Sequence, residues 1–319
     1  MRIVWFTVCL LLAPALCEAQ DVSLLGGRLD VINSSQHSFG VDVGYAQRLG
    51  EHAALSAEYV NEGHPALHHR DGLAPQFWLR TATPEQGFSF AVGAGPYYYF
   101  DTTSGSGSSA DYRNEHGWGT LVSASARWHL EKRTYLELRL NRVHGRAEHD
   151  STMLLAGVGY ELRNLAPEVV RSNAEAGDRM IMLLAGRAIV NSFESETAVA
   201  KAVEFRRTLT ENAEWSAMLL NEGQVGLVQR KGVAAQLWLL RPFTEHTVLE
   251  MGGGAYAMRD QINRGDAREE PKNHLVPIVS IGIRYRISPA WRAQLTWSRV
   301  VTPYHRDSDV FLLGGGVAF

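Results

Sequence analysis

Cysteine is almost absent: the only two, Cys9 and Cys17, fall within the first 19 of 319 residues. Everything downstream therefore lacks a disulfide, a Cys-liganded metal and a thiolate nucleophile. After position 19 there is no apolar run approaching the ~18 residues that a helical membrane span requires. An excess of one charge sign is missing too: 31 Lys and Arg stand against 34 Asp and Glu, for a formal net charge of −3. That balance gives no bulk electrostatic reason to expect a nucleic-acid partner. Long amphipathic helical patterns do not occur. The mean hydropathy of −0.16 excludes a multi-helix membrane protein. It leaves room for a transmembrane β-barrel, in which lipid-facing and lumen-facing residues alternate and cancel in the average.

The N-terminal stretch reads as a secretory signal spanning residues 1–19. Arg2 precedes the apolar segment Ile3–Leu16, and Cys17-Glu18-Ala19 supplies small residues at the −3 and −1 positions, so cleavage is expected before Gln20.

Past that point the period is two. Strands are expected near 22–32, 38–48, 53–61, 74–81, 88–100, 118–130, 134–142 and 152–162. A second set is expected near 181–190, 198–207, 213–221, 233–240, 247–257, 275–287, 291–300 and 309–319. In 275–287, for example, Val279, Ile281, Ile283, Tyr285 and Ile287 share one face, and Ser280, Gly282, Arg284 and Arg286 the other. The second set repeats the first. Asn61-Glu62-Gly63 returns as Asn221-Glu222-Gly223, and ungapped alignment through Leu79 and Leu239 gives ten identities in nineteen positions. The chain thus divides into a first eight-strand repeat at 20–163, a linker at 164–180 and a second repeat at 181–319.

Every second connection is long (33–37, 62–73, 101–117 and 143–151, with counterparts in the second half), so all long loops emerge on one side. Tyr45, Trp128, Tyr135 and Tyr160 fall near the short-turn boundary, and Tyr59, Tyr97–Phe100 and Trp118 near the long-loop boundary, as two aromatic girdles would. The chain closes on Phe319, at the end of an alternating strand. These features resemble bacterial outer-membrane β-barrel proteins, including the C-terminal aromatic by which such barrels are recognised for assembly. The resemblance implies a porin-like or structural barrel in the outer membrane, with outer-membrane lipids and the barrel assembly machinery as partners. It specifies neither a cofactor nor an oligomeric state.

Total length suits one sixteen-strand barrel, and that closure is expected. Two eight-strand barrels are the alternative. It is supported by the long inner-side segment Arg163–Met180 and by lumen charges that balance within the first half: Arg28, Arg80, Arg127 and Arg139 against Asp30, Asp42, Glu58 and Glu137.

Histidine is the most unevenly placed residue type. Of twelve, His37, His64, His68, His69, His116, His144 and His149 stand in the long loops of the first half. His64, His68, His69 and Asp71 form a candidate divalent-metal set, because imidazole and carboxylate together suit Zn²⁺. The second copy keeps the Asn-Glu-Gly and Arg-x-Gly frame but none of these ligands. The frame itself reads as backbone structure, with Gly63 and Gly72 setting turns. For catalysis the candidates are His144 and Ser151. Outer-membrane lipid A deacylases, eight-strand barrels, carry a His-x-Ser-Asn motif near the outer end of the penultimate strand. His144 is similarly placed but is followed by Gly145-Arg146, so the similarity extends to one residue. A lipid-acting hydrolase and a His-bearing surface receptor are the alternatives to a channel or structural barrel.

Overall fold

The computed structural model describes residues 20–65, 68–84, 86–104, 112–130, 133–145, 150–162, 177–192, 196–225, 228–264, 267–268 and 270–319. The expected export signal and most of the linker lie outside the described residues. Among those described, no helix is long and apolar enough to cross a membrane.

The first unit is made of β1 (Gln20–Val31), β2 (His37–Arg48), β3 (Ala53–Asn61), β4 (His68–Arg80), β5 (Gly87–Ser104), β6 (Tyr112–His129), β7 (Thr134–His144) and β8 (Ser151–Leu162). Each strand pairs antiparallel with the next. β1 also pairs with β8, from Gln20↔Leu162 to Val31↔Ser151, which closes an eight-strand barrel. The second unit comprises β9 (Arg179–Val190), β10 (Thr197–Thr210), β11 (Ala213–Val225), β12 (Val228–Pro242), β13 (Thr247–Arg264), the two-residue β14 (Ala267–Arg268), β15 (Lys272–Arg286), β16 (Trp291–Val300) and β17 (Ser308–Ala318). There β9 pairs with β17, β12 with β13 and β13 with β15, so eight strands again form a ring, with β14 as a short hairpin arm on β13.

The expectation of one sixteen-strand barrel is therefore wrong: the chain makes two closed eight-strand barrels. Alternation is the same for either closure, and chain length does not discriminate between them. What decides is the interior. Eight strands bring opposite walls within reach of a long side chain, so inward residues meet across the middle, whereas a sixteen-strand ring encloses an aqueous channel.

Strands also run further toward the long-loop end than polarity suggests. β4 begins at His68 rather than at residue 74, β6 begins at Tyr112, and β13 runs on to Arg264. Polar sequence reads as loop, but an antiparallel ladder that continues into water needs no apolar face. Hence His68, His69, Asp71 and His116 lie on strands. Gly63 and Gly223 adopt φ of +69° and +77°, in the left-handed region that favours glycine, at equivalent turns. Gly72 instead lies inside β4. Gly93 and Gly252 have a different role: a Cβ there would lie 2.5 Å and 2.7 Å from the rings of Trp78 and Trp238. Only glycine leaves room for an indole to lie across the lumen at that level.

Candidate functional site

Alternation along the strands sends charged side chains inward in three tiers. In the middle of the first barrel, Arg139 on β7 is 1% exposed. Its guanidinium spans the lumen to Asp42 on β2 (3.2 Å) and Glu58 on β3 (3.2 Å), and contacts Glu137 on its own strand at 2.8 Å. It lies 5.2 Å from the ring centroid of Trp78, and Asn141 Nδ2 donates to Asp42 at 2.7 Å. Nearer the short turns, Arg127 contacts Glu137 (3.1 Å) and Asp21 (3.3 Å) beneath the ring of Tyr135, whose hydroxyl donates to Asp21 at 2.8 Å. Toward the long loops, Arg70 holds Glu62 with two hydrogen bonds of 2.7 and 2.6 Å. Tyr97 donates to the same carboxylate at 2.9 Å, and Ser151 donates to it as well. Charges this deeply buried persist when each is paired and hydrogen-bonded.

The second barrel keeps the outer tier. Arg230, Glu222 and Ser308 stand where Arg70, Glu62 and Ser151 do, with Arg230 3.3 Å from Glu222 and Ser308 Oγ donating to Glu222 at 2.7 Å. Trp238 donates to Ser216 at 2.9 Å as Trp78 does to Ser56 at 2.8 Å. The middle tier is rebuilt. Its arginine is Arg206 on β10, 3.1 Å from Glu204, 2.8 Å from Glu250 and 3.9 Å from the ring centroid of Trp238. Arg284 completes it with Glu214 at 2.9 Å and Glu250 at 2.9 Å. By register, Ala202, Met218, Gln294 and Thr296 occupy the positions of Asp42, Glu58, Glu137 and Arg139. The two barrels thus place a guanidinium on the same tryptophan from different strands, and each moves its acids to match.

Of the expected lumen charges, Asp42, Glu58, Arg127, Glu137 and Arg139 lie in this network. Arg80 is half-buried and hydrogen-bonded to Thr83 near the short turns. Arg28 and Asp30 do not face the lumen. They form a 2.7 Å ion pair on the outer face, with side chains 64% and 54% exposed, because Leu29 between them takes the inward position. Tyr135, expected in a girdle, points inward for the same reason of parity.

The metal candidates do not converge. His64 stacks on His69 at 4.3 Å between ring centroids, while His68 Nδ1 is 3.3 Å from buried Asp101. Asp71 accepts from Tyr59 at 2.7 Å. Among the described residues, no three His, Asp or Glu side chains gather as a metal site would need. The catalytic candidates stand on opposite faces of one sheet. His144 is exposed and contacts Asp150 at 3.0 Å, whereas Ser151, opposite Val143, is buried against Glu62. Asp150 is held below the usual carboxylate range: slight burial raises it, but His144, the Gly145 N–H (3.1 Å) and Arg142 (3.5 Å) outweigh that effect. His149 lies outside the described residues. Of the outer tier, Glu62 and Arg70 belong to the frame repeated in both halves, which from sequence reads as backbone structure alone; Tyr97, expected in a girdle, turns inward to join them.

No protein-family model matches the chain, and no curated protein matches it. Among solved structures, the N-terminal β-barrel domain of Pseudomonas aeruginosa OprF is similar at 16% identity and TM-score 0.37, over 46% of this chain and all 100% of that one. Ail, the attachment invasion locus protein of Yersinia pestis, is similar at 11% identity and TM-score 0.35, over 45% of this chain and 99% of its own. Neisserial surface protein A is similar at 14% identity and TM-score 0.34, over 44% of this chain and 95% of its own.

Proposed function

We propose that this chain is an integral outer-membrane protein whose two barrels are plugged, and that it works through its outer surfaces rather than as an open pore. The observation that carries this reading is an inside-out distribution of side chains. Charged residues such as Arg139, Glu137, Arg206 and Glu204 are at most 3% exposed, whereas Phe39, Phe88 and Leu183 are each 64% exposed. Apolar surface on this scale is stabilised by lipid and not by water. Trp128, Tyr160, Tyr285, Trp291 and Phe319 are outward and half-exposed near the short-turn end, where amphipathic rings favour the headgroup level. Residues 1–19 would direct export and be removed, and the terminal Phe319 would be presented to the assembly machinery. The cross-lumen pairs, from β2 to β7 and from β10 to β13, support the structural reading over an open channel.

The full chain folded into a planar bilayer is expected to give no stepwise ion conductance near neutral pH. Regular single-channel steps from protein shown to be folded would overturn the plugged reading.

A further inference from the structure

Near the long-loop ends of the strands, both barrels have an equivalent row of outward-facing positions, and its chemistry differs between them. In the first barrel the cross-strand neighbours are Val41, Asn61, Asp71, Phe100 and His116. In the second, the same register gives Lys201, Asn221, Lys231, Arg259 and Asn273. A valine, an acid and an aromatic are replaced by three cations. Arg187, on the adjoining strand, adds a fourth. Its equivalent Arg28 is neutralised by Asp30, but Ile189 stands at the position of that acid.

Two further observations point to a ligand. Lys201, Lys231 and Arg259 are exposed, and among the described residues no side chain forms an ion pair or hydrogen bond with theirs. Lys231 and Arg259 are directly opposed, an arrangement of like charges that destabilises a sheet unless an anion lies between them. One step toward the short turns, the same face becomes apolar. Val203, Leu219, Val233 and Leu275 are 44%, 61%, 47% and 74% exposed, immediately below the polar row.

We propose that this row of the second barrel binds phosphate-bearing headgroups of membrane lipids in the leaflet at the long-loop side. The proposal rests on the membrane reading above: the apolar step would lie among acyl chains, and the cations, on flexible stems, at headgroup height. Continuity of the cations with the apolar belt favours a lipid phosphate over a free anion. The first barrel, whose row carries no lysine or arginine, would show no such preference.

The full chain, folded into phosphatidylcholine vesicles, can be tested with a small fraction of spin-labelled phosphatidic acid, reading the motionally restricted population. Wild-type protein is expected to prefer phosphatidic acid over labelled phosphatidylcholine by roughly tenfold. The combined Lys201→Gln, Lys231→Gln and Arg259→Gln variant should lose that preference, while Arg133→Gln, between β6 and β7 of the first barrel, should keep it. A preference unchanged in the triple variant would overturn the proposal. Its abolition by millimolar inorganic phosphate would assign the row to a free anion and overturn the lipid assignment. Insertion is scored separately by heat-modifiable gel migration. Failure of wild-type protein to insert would overturn the membrane reading and the headgroup site together, whereas insertion without preference overturns the headgroup site alone.

Discussion

Arg139→Met is expected to destabilise the first barrel by about 3–5 kcal/mol, the range for removing one partner of a buried charge network. Methionine fills a similar space, so the loss is electrostatic in origin. Asp42, Glu58 and Glu137 would be left without the guanidinium that reaches all three, in an interior where each is at most 3% exposed. Urea titration of the full chain in detergent, followed by limited proteolysis and fragment masses, separates the two barrels. Residues 20–162 should become cleavable at lower urea, with 179–318 unchanged. The second barrel indicates how to reverse the effect. It holds Ala202, Met218, Gln294 and Thr296 at the corresponding positions. Combining Asp42→Ala, Glu58→Met and Arg139→Thr removes the two cross-lumen acids along with the arginine and leaves Glu137 paired with Arg127. That variant should regain at least about half of the lost stability, since whole buried ion networks can be replaced by less polar groups far more cheaply than they can be broken. The remainder reflects the volume left by the lost guanidinium. An Arg139→Met protein as stable as wild type would contradict the role given to this network.

The lumen differs from the rim in how far its chemistry can be read from sequence. Asp42, Glu137 and Arg139 announce themselves by parity, since each sits on the face opposite a run of apolar residues. Arg28 and Asp30 are also charged and also on a strand, but they stand one residue out of phase with Leu29, and their mutual pairing makes either face equally acceptable for charge balance. The closure of the barrels was less legible. A strand carries the same alternation whether its last neighbour is β8 or β17, and the discriminating fact is that Arg139 and Asp42 meet across the lumen, a contact 97 residues apart in sequence. The repeated Glu62 and Arg70 are visible as identities between the halves. Their role, with Ser151, in one hydrogen-bonded tier is not visible, because apolar alternation places the start of β4 after Arg70. The second-barrel arginine was hidden for another reason. Arg206 has no counterpart in the first half, where Ala46 holds its place, so comparison of the repeats pointed away from it. The histidines of the first half drew attention by number, yet the fold disperses them: His68 turns toward Asp101, His64 stacks on His69, and His144 faces away from Ser151.

Closure of each half on itself is tested most directly by thiol cross-linking, because residues 20–319 contain no cysteine of their own. Leu24 lies opposite Val158 across the β1–β8 seam, and both are outward-facing and exposed. Cβ atoms of such antiparallel partners are about 4.5–5.5 Å apart, within reach of a short bifunctional thiol reagent. In a sixteen-strand ring, β1 would instead neighbour β17, and Leu24 would take the partner that Leu183 has in the second barrel, Gly315. After folding of residues 20–319, the Leu24→Cys with Val158→Cys protein is expected to cross-link within one chain nearly to completion, and the Leu24→Cys with Gly315→Cys protein is expected not to. Efficient linkage of the second pair, with none of the first, would contradict two separate barrels.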